Sequence, residues 1–130
     1  AFPKLFRKMK KAGAEIVYLT GRDVARMGIG TVQTLKKWNF PIDLSKTGLI
    51  LKPEKGMDDA KFKSDYFASL PENKYQNIWF FENEPVNTNF VKECHNHVDI
   101  VFFDSTHSGK EEPHPHLPKI IHYLLDEDNT

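Results

Sequence analysis

The chain has 130 residues, and its 18 Lys and Arg balance 18 Asp and Glu, so it carries no formal net charge. That balance removes any global electrostatic pull towards nucleic acid or an anionic membrane surface. The length suits one domain whose core needs no disulfide or metal, and the single cysteine, Cys94, excludes an internal disulfide. No apolar run reaches the length of a signal-peptide core or a membrane span, so a reducing, cytoplasmic setting without membrane partners is expected.

"PKLFRKMKKAGA" places Leu5, Phe6 and Met9 along one side among lysines and stops at Gly13, which predicts an amphipathic helix with a glycine C-terminal signal. "EIVYL" (15–19) reads as a strand that delivers Thr20, Gly21 and Arg22 at its end. Residues 24–38 predict a second helix, with Val32, Leu35 and Trp38 at helical spacing after Gly28 and Gly30, and "NFP" closes it. "GLILK" is a short strand. "MDDAKFKSDYFASLPEN" predicts a third helix with Phe62, Tyr66 or Phe67, and Leu70 facing inward, and "NIWFFE" is a continuous apolar strand. "PVNTNFVKECHN" predicts a fourth helix with its proline in the first turn, followed by strand "VDIVFF". From "DSTHSGKEEPHPHLP" onward a loop is expected, then a short closing element at "KIIHYLL" and a frayed tail at 126–130.

Strands that alternate with helices and are nearly continuous in apolar residues predict an α/β fold, a mostly parallel sheet covered on both faces, as a single domain over 1–125. By default Phe80, Phe81, Phe102 and Phe103 belong to its core. In such a sheet ligands sit outside the carboxyl ends of the strands. A hydroxyl at Thr20, backbone amides and a guanidinium at Gly21 and Arg22, a lysine on the third helix, and Glu82 with Asn83 after "NIWFF" are the parts of a phosphoryl-transfer site: donors for phosphoryl oxygens, a cation for developing charge, and hard oxygens for magnesium. His107, after the strand "VDIVFF", lies on the same expected rim and is a candidate substrate contact.

In order and spacing, "VYLTGR", "KFKSDYF" and "FFENEP" resemble the second, third and fourth motifs of the haloacid dehalogenase-like superfamily of phosphohydrolases. They are most similar to the phosphatase domain of polynucleotide kinases and to a group of acid-phosphatase-like proteins. The resemblance spans nearly the whole chain and implies a three-layer, Rossmann-like hydrolase. Thr20 would hydrogen-bond the transferring phosphoryl group, Lys63 would stabilise its charge, and Glu82 with Asn83 would help hold Mg2+. Lys52, directly before a proline in "LKP", competes with Lys63 for the lysine role, and Glu84 is a weaker metal candidate.

One departure matters. The superfamily begins with a strand ending in Asp-x-Asp, whose first aspartate forms an aspartyl-phosphate, and no such strand precedes "AFPKLF" in this chain. That strand is central in the family's sheet, so its omission would leave two sheet fragments: either the chain is a fragment of a longer protein, truncated at its N-terminus, or the gap is filled by a segment out of order or by a second chain. "VDIVFFDSTHS" offers Asp104 as a permuted nucleophile. A capless site would admit a large phosphorylated substrate, such as a protein or a nucleic-acid end. The alternative to an enzyme is an inactive relative that binds a phosphorylated ligand or a protein partner. "HNH" at 95–97 reads as surface, and "PHPH" at 113–116 as a loose transition-metal site at most.

Overall fold

The structure, a computed structural model, describes residues 2–23, 33–37, 40–41, 48–54, 56–104 and 108–121. The chain divides into two compact units, Ala1–Met57 and Asp58–Thr130. The described strands form two separate sheets, one of two strands and one of three, and every pairing in them is parallel. The fold is therefore mixed α/β. Of the helix expected over 24–38, residues 33–37 are described and are helical; His107 and the tail at 126–130 lie outside the described residues.

In the first unit, α1 (Phe2–Lys11) ends as its glycine foretold. Gly13 takes a left-handed φ of 102°, Gly13 N–H donates to Lys10 O and Ala14 N–H to Met9 O, both at 3.0 Å. This pair of bonds satisfies carbonyls the helix end would otherwise leave open. Lys8, Lys10 and Lys11 add favourable charge at the negative end of the helix dipole. β1 (Tyr18–Asp23) pairs with β2 (Leu49–Lys52), and Tyr18 faces Leu49 in the ladder. The strand expected at 15–19 thus starts three residues later, and Thr-Gly-Arg lies within it instead of after it. The ladder with β2 decides this, because Tyr18 N–H donates to Gly48 O at 2.9 Å and pairing begins there. The register shifts between Thr20 and Asp23, which face the adjacent residues Leu51 and Lys52, so β1 bulges at Gly21 and Arg22.

Phe40 links the first unit's elements, with ring centroids 6.0 Å from Phe6 on α1 and 5.9 Å, edge-on, from Tyr18 on β1. The Tyr18 hydroxyl donates to Pro41 O, and burial pushes its pKa up to about 12. A phenol raised above its unfolded value of about 10 stabilises fully below pH 10, and that stabilisation is lost as pH rises through 12. Stability should therefore fall across this alkaline window in the native chain, and Tyr18→Phe should flatten the fall. Denaturant midpoints measured from pH 9 to 12 check this; equal slopes in the two proteins would refute it.

The second unit opens on α2 (Asp59–Ser69), capped by Asp58, whose carboxylate accepts Lys61 N–H at 2.9 Å. Leu70 is extended because Pro71 follows it. Then come β3 (Ile78–Glu82), α3 (Pro85–Cys94), β4 (Val98–Asp104) and β5 (Lys119–Ile121), in sheet order β3-β4-β5. Pro85 sits in the first turn of α3, where its missing N–H is no loss. Of "KIIHYLL" only the first three residues are described, as β5.

Alternation along the strands sorts the side chains. Phe80 and Glu82 on β3 and Val98, Ile100 and Phe102 on β4 are buried, while Trp79 is 55 % exposed and Asp99 is exposed. Phe67 on α2 meets Phe80 edge-on at 5.1 Å, and Val91 on α3 is fully buried. The expectation that Phe81 and Phe103 are core residues is thereby corrected: they fall on the alternate positions and are only half-buried. Phe62 and Phe67 are buried as expected, whereas Tyr66 and Leu70 are half-buried.

Candidate functional site

The buried positions of α2 include Ala60, Phe62, Lys63, Ser64 and Phe67, so one lysine takes a place on the helix's apolar face. Helical spacing put it there, since 60, 63, 64 and 67 share one side. Glu82, the last residue of β3, is turned to the same interior by its alternation with Phe81. Lys63 Nζ donates to Glu82 Oε2 at 2.9 Å, with the two side chains 7 % and 8 % exposed. Both charges have left water, and each depends on the other for compensation.

The other oxygen, Glu82 Oε1, accepts Glu84 N–H at 3.3 Å and Asn87 Nδ2 at 3.2 Å. Asn87 is itself buried in the first turn of α3, and its Nδ2 also lies 3.4 Å from Asp59 Oδ2. Asp59, one turn before Lys63 on α2, brings that Oδ2 to 3.9 Å from Lys63 Nζ. The sequence reading missed Asn87 and Asp59. Helical spacing could have found them: Asp59 is four residues before Lys63, and Asn87 follows Glu82 on the first turn of the next helix.

Glu84 is committed elsewhere. Its carboxylate accepts Ser108 N–H at 3.0 Å and the Ser108 hydroxyl at 2.7 Å, which ties the segment after β4 to the start of α3. Asn89 Nδ2 extends the tie through Glu112 O at 2.9 Å and Glu111 Oε1 at 3.4 Å. Asn83, half-buried, directly follows Glu82. Lys52, buried at the end of β2, donates from Nζ to Met57 O at 3.0 Å. Lys61 is exposed and paired with Asp65 at 2.9 Å; the hydrogen bond and charge of Asp65 raise its pKa.

Among the remaining candidates, Thr20 is half-buried within β1, opposite Leu51. Gly21 and Arg22 belong to the β1 backbone, and the expected contact from the Arg22 side chain lies outside the described residues, as does that from His107. Asp104 ends β4 and pairs with Lys119 at 3.5 Å, both side chains partly exposed. His95 is less superficial than expected. It caps the C-terminus of α3, its N–H donating to Val91 O, and its Nε2 lies 2.9 Å from Ser64 O and 3.0 Å from Ser64 Oγ, joining α3 to α2. His114 and His116 are exposed.

No family model, curated protein or solved structure matches the chain. Among the described residues no group of three or more His, Cys, Asp and Glu side chains gathers as a metal site. No described helix is long and apolar enough to cross a membrane.

For magnesium, the donor chemistry of the β3 end fits in kind: Glu82 offers hard carboxylate oxygens, and this ion is commonly held by one or two carboxylates plus water and phosphate oxygens. A carboxylate has about four acceptor positions, and the bonds from Lys63, Asn87 and Glu84 occupy three of them. With Lys63 in place, Glu82 can therefore be only a single-point ligand.

Proposed function

We propose that the chain carries the second, third and fourth motif residues of a haloacid dehalogenase-like phosphohydrolase that cleaves phosphomonoesters through an aspartyl-phosphate. The observation that carries this reading is the Lys63–Glu82 pair, 2.9 Å long and buried at the carboxyl end of a parallel strand, in the order Thr-Gly-Arg, lysine, acid.

In this reading Lys63 offers its charge to the phosphoryl oxygens as negative charge develops there, and Glu82 keeps the ammonium aimed. By motif order alone, the Thr20 hydroxyl and the amides of Gly21 and Arg22 are donors of the kind that hold phosphoryl oxygens. Glu82 and Asn83 would hold magnesium, which when bound supplies a Lewis acid for the phosphoryl oxygens. The nucleophile of such a reaction is an aspartate that the three matched motifs do not include. Its carboxylate attacks phosphorus as the ester P–O bond breaks, a general acid protonates the leaving alkoxide, and water then cleaves the aspartyl-phosphate to inorganic phosphate and restores the aspartate.

A second reading has an observation of its own. Because three of about four acceptor positions on Glu82 are filled from within the protein, the pair could equally be a fixed element of an inactive relative that binds a phosphorylated ligand or partner.

The expected result for the 130-residue chain with magnesium and an aryl phosphate is no substantial turnover, together with binding of inorganic phosphate that weakens about tenfold or more in Lys63→Met. Phosphate titration followed by 31P NMR measures the binding. Absence of binding with and without magnesium would overturn both readings, and robust turnover abolished by Asp104→Asn would place the nucleophile within the chain. An Asp-x-Asp strand encoded upstream of Ala1 would decide between enzyme and inactive relative.

A further inference from the structure

Asp59 and Glu82 share two polar neighbours, Lys63 and Asn87. Lys63 Nζ is 2.9 Å from Glu82 Oε2 and 3.9 Å from Asp59 Oδ2, and Asn87 Nδ2 is 3.2 Å from Glu82 Oε1 and 3.4 Å from Asp59 Oδ2. The result is a closed ring of carboxylate, ammonium, carboxylate and amide. Glu82 alone balances the charge of Lys63, so neutrality does not require Asp59. A second carboxylate beside Glu82 adds like-charge repulsion. The position nevertheless suits an acid, since Asp59 is the first residue of α2, where the helix dipole favours negative charge, and it precedes Lys63 by four residues in the favourable acid-before-base order.

An ammonium has three protons at fixed tetrahedral angles. The group turns about its Cε–Nζ bond, and the hydrogen bond to Glu82 favours one rotational well. A second anion at 3.9 Å, beyond hydrogen-bond length, deepens that well electrostatically and so steadies where the remaining protons point. We propose that Asp59 is a positioning residue for Lys63: its charge adds to the Glu82 hydrogen bond in holding the ammonium so that one N–H is presented to an anionic ligand of the phosphoryl class, while Asn87 holds the two carboxylates in register. The identity of the ligand rests on the phosphohydrolase reading; the positioning of Lys63 does not.

The experiment compares the full chain with Asp59→Asn and Asp59→Glu. Its first readout is the Lys63 ammonium signal in a lysine 15N spectrum, assigned by its loss in Lys63→Arg. In the native chain this signal should be visible, through slow exchange of a buried group hydrogen-bonded to Glu82 and flanked by Asp59. Asp59→Asn, which keeps the shape and removes the charge, should speed its exchange about two- to threefold, the scale of a partly exposed i,i+4 pair. Asp59→Glu should restore it. An unchanged Lys63 signal in Asp59→Asn would overturn the proposal, as would a change that Asp59→Glu fails to reverse.

The second readout is inorganic phosphate binding, where the sign decides. Simple repulsion predicts tighter binding once Asp59 loses its charge, whereas a loosened Lys63 predicts weaker binding. Weaker binding in Asp59→Asn with recovery in Asp59→Glu supports the positioning role, and tighter binding refutes it. If the native chain binds no phosphate, the phosphoryl reading fails and the lysine signal alone decides whether Asp59 positions Lys63.

Discussion

Lys63→Met should destabilise the second unit by about 3–5 kcal/mol, and Lys63→Met combined with Glu82→Leu should recover most of that loss. The single change leaves Glu82, 8 % exposed, as a buried anion whose remaining donors are the Asn87 amide and the Glu84 N–H. Those neutral bonds compensate only part of the desolvation of a charge. The double change removes both charges and fills their space with apolar side chains, which is often neutral or stabilising for a buried pair. Urea denaturation of the native chain, both single variants and the double variant gives the coupling directly. A coupling below about 1 kcal/mol would mean the pair behaves as a solvated surface bridge, against its burial. A double variant as stable as the native chain would show that stability does not explain the pair, which strengthens its assignment to a site.

Phe102→Ala should cost about 3–5 kcal/mol, and Phe102→Leu about 1–2 kcal/mol. Phe102 is 2 % exposed on the middle strand, in register with Glu82 on one side and Lys119 on the other, and its ring lies 5.9 Å from Lys119 Nζ. Truncation opens a cavity that rigid strands on both sides cannot close. Since small domains carry only about 5–15 kcal/mol of stability, the alanine variant should also loosen the β3 end beside Glu82. Thermal unfolding and amide exchange at Phe81 and Glu82 test both parts. A loss under 1 kcal/mol would contradict the packing described for β4.

These two expectations bear on the functional reading in different ways. The first asks whether a charged pair at the end of β3 exists for stability, and the second whether the strand row that carries Glu82 is rigid. Placing a reacting group needs that rigidity, since a site held loosely by its supporting residues loses orientation and rate.

Local rules in the sequence determined much of this protein. The glycine stop of α1, the proline start of α3 and the apolar strand runs each depend on a few consecutive residues, so these elements were legible without the fold. The candidate roles of Lys63 and Glu82 were legible from motif order, and their contact follows from two periodicities, 3.6 on α2 and 2 on β3, both pointing inward. Tertiary structure decided the rest. Where β1 starts, and that Thr20 lies inside it, depended on pairing with β2 about 30 residues later in the chain, and a ladder partner at that separation leaves no trace in the local pattern. That Glu84 serves Ser108, that Lys52 serves Met57, and that Asp59 and Asn87 join the Lys63–Glu82 pair are choices among many nearby polar groups. Composition permits all of them, and only the distances that close when helices pack on a sheet select one, because a buried polar group must find its partner within about 3 Å or forfeit the cost of leaving water.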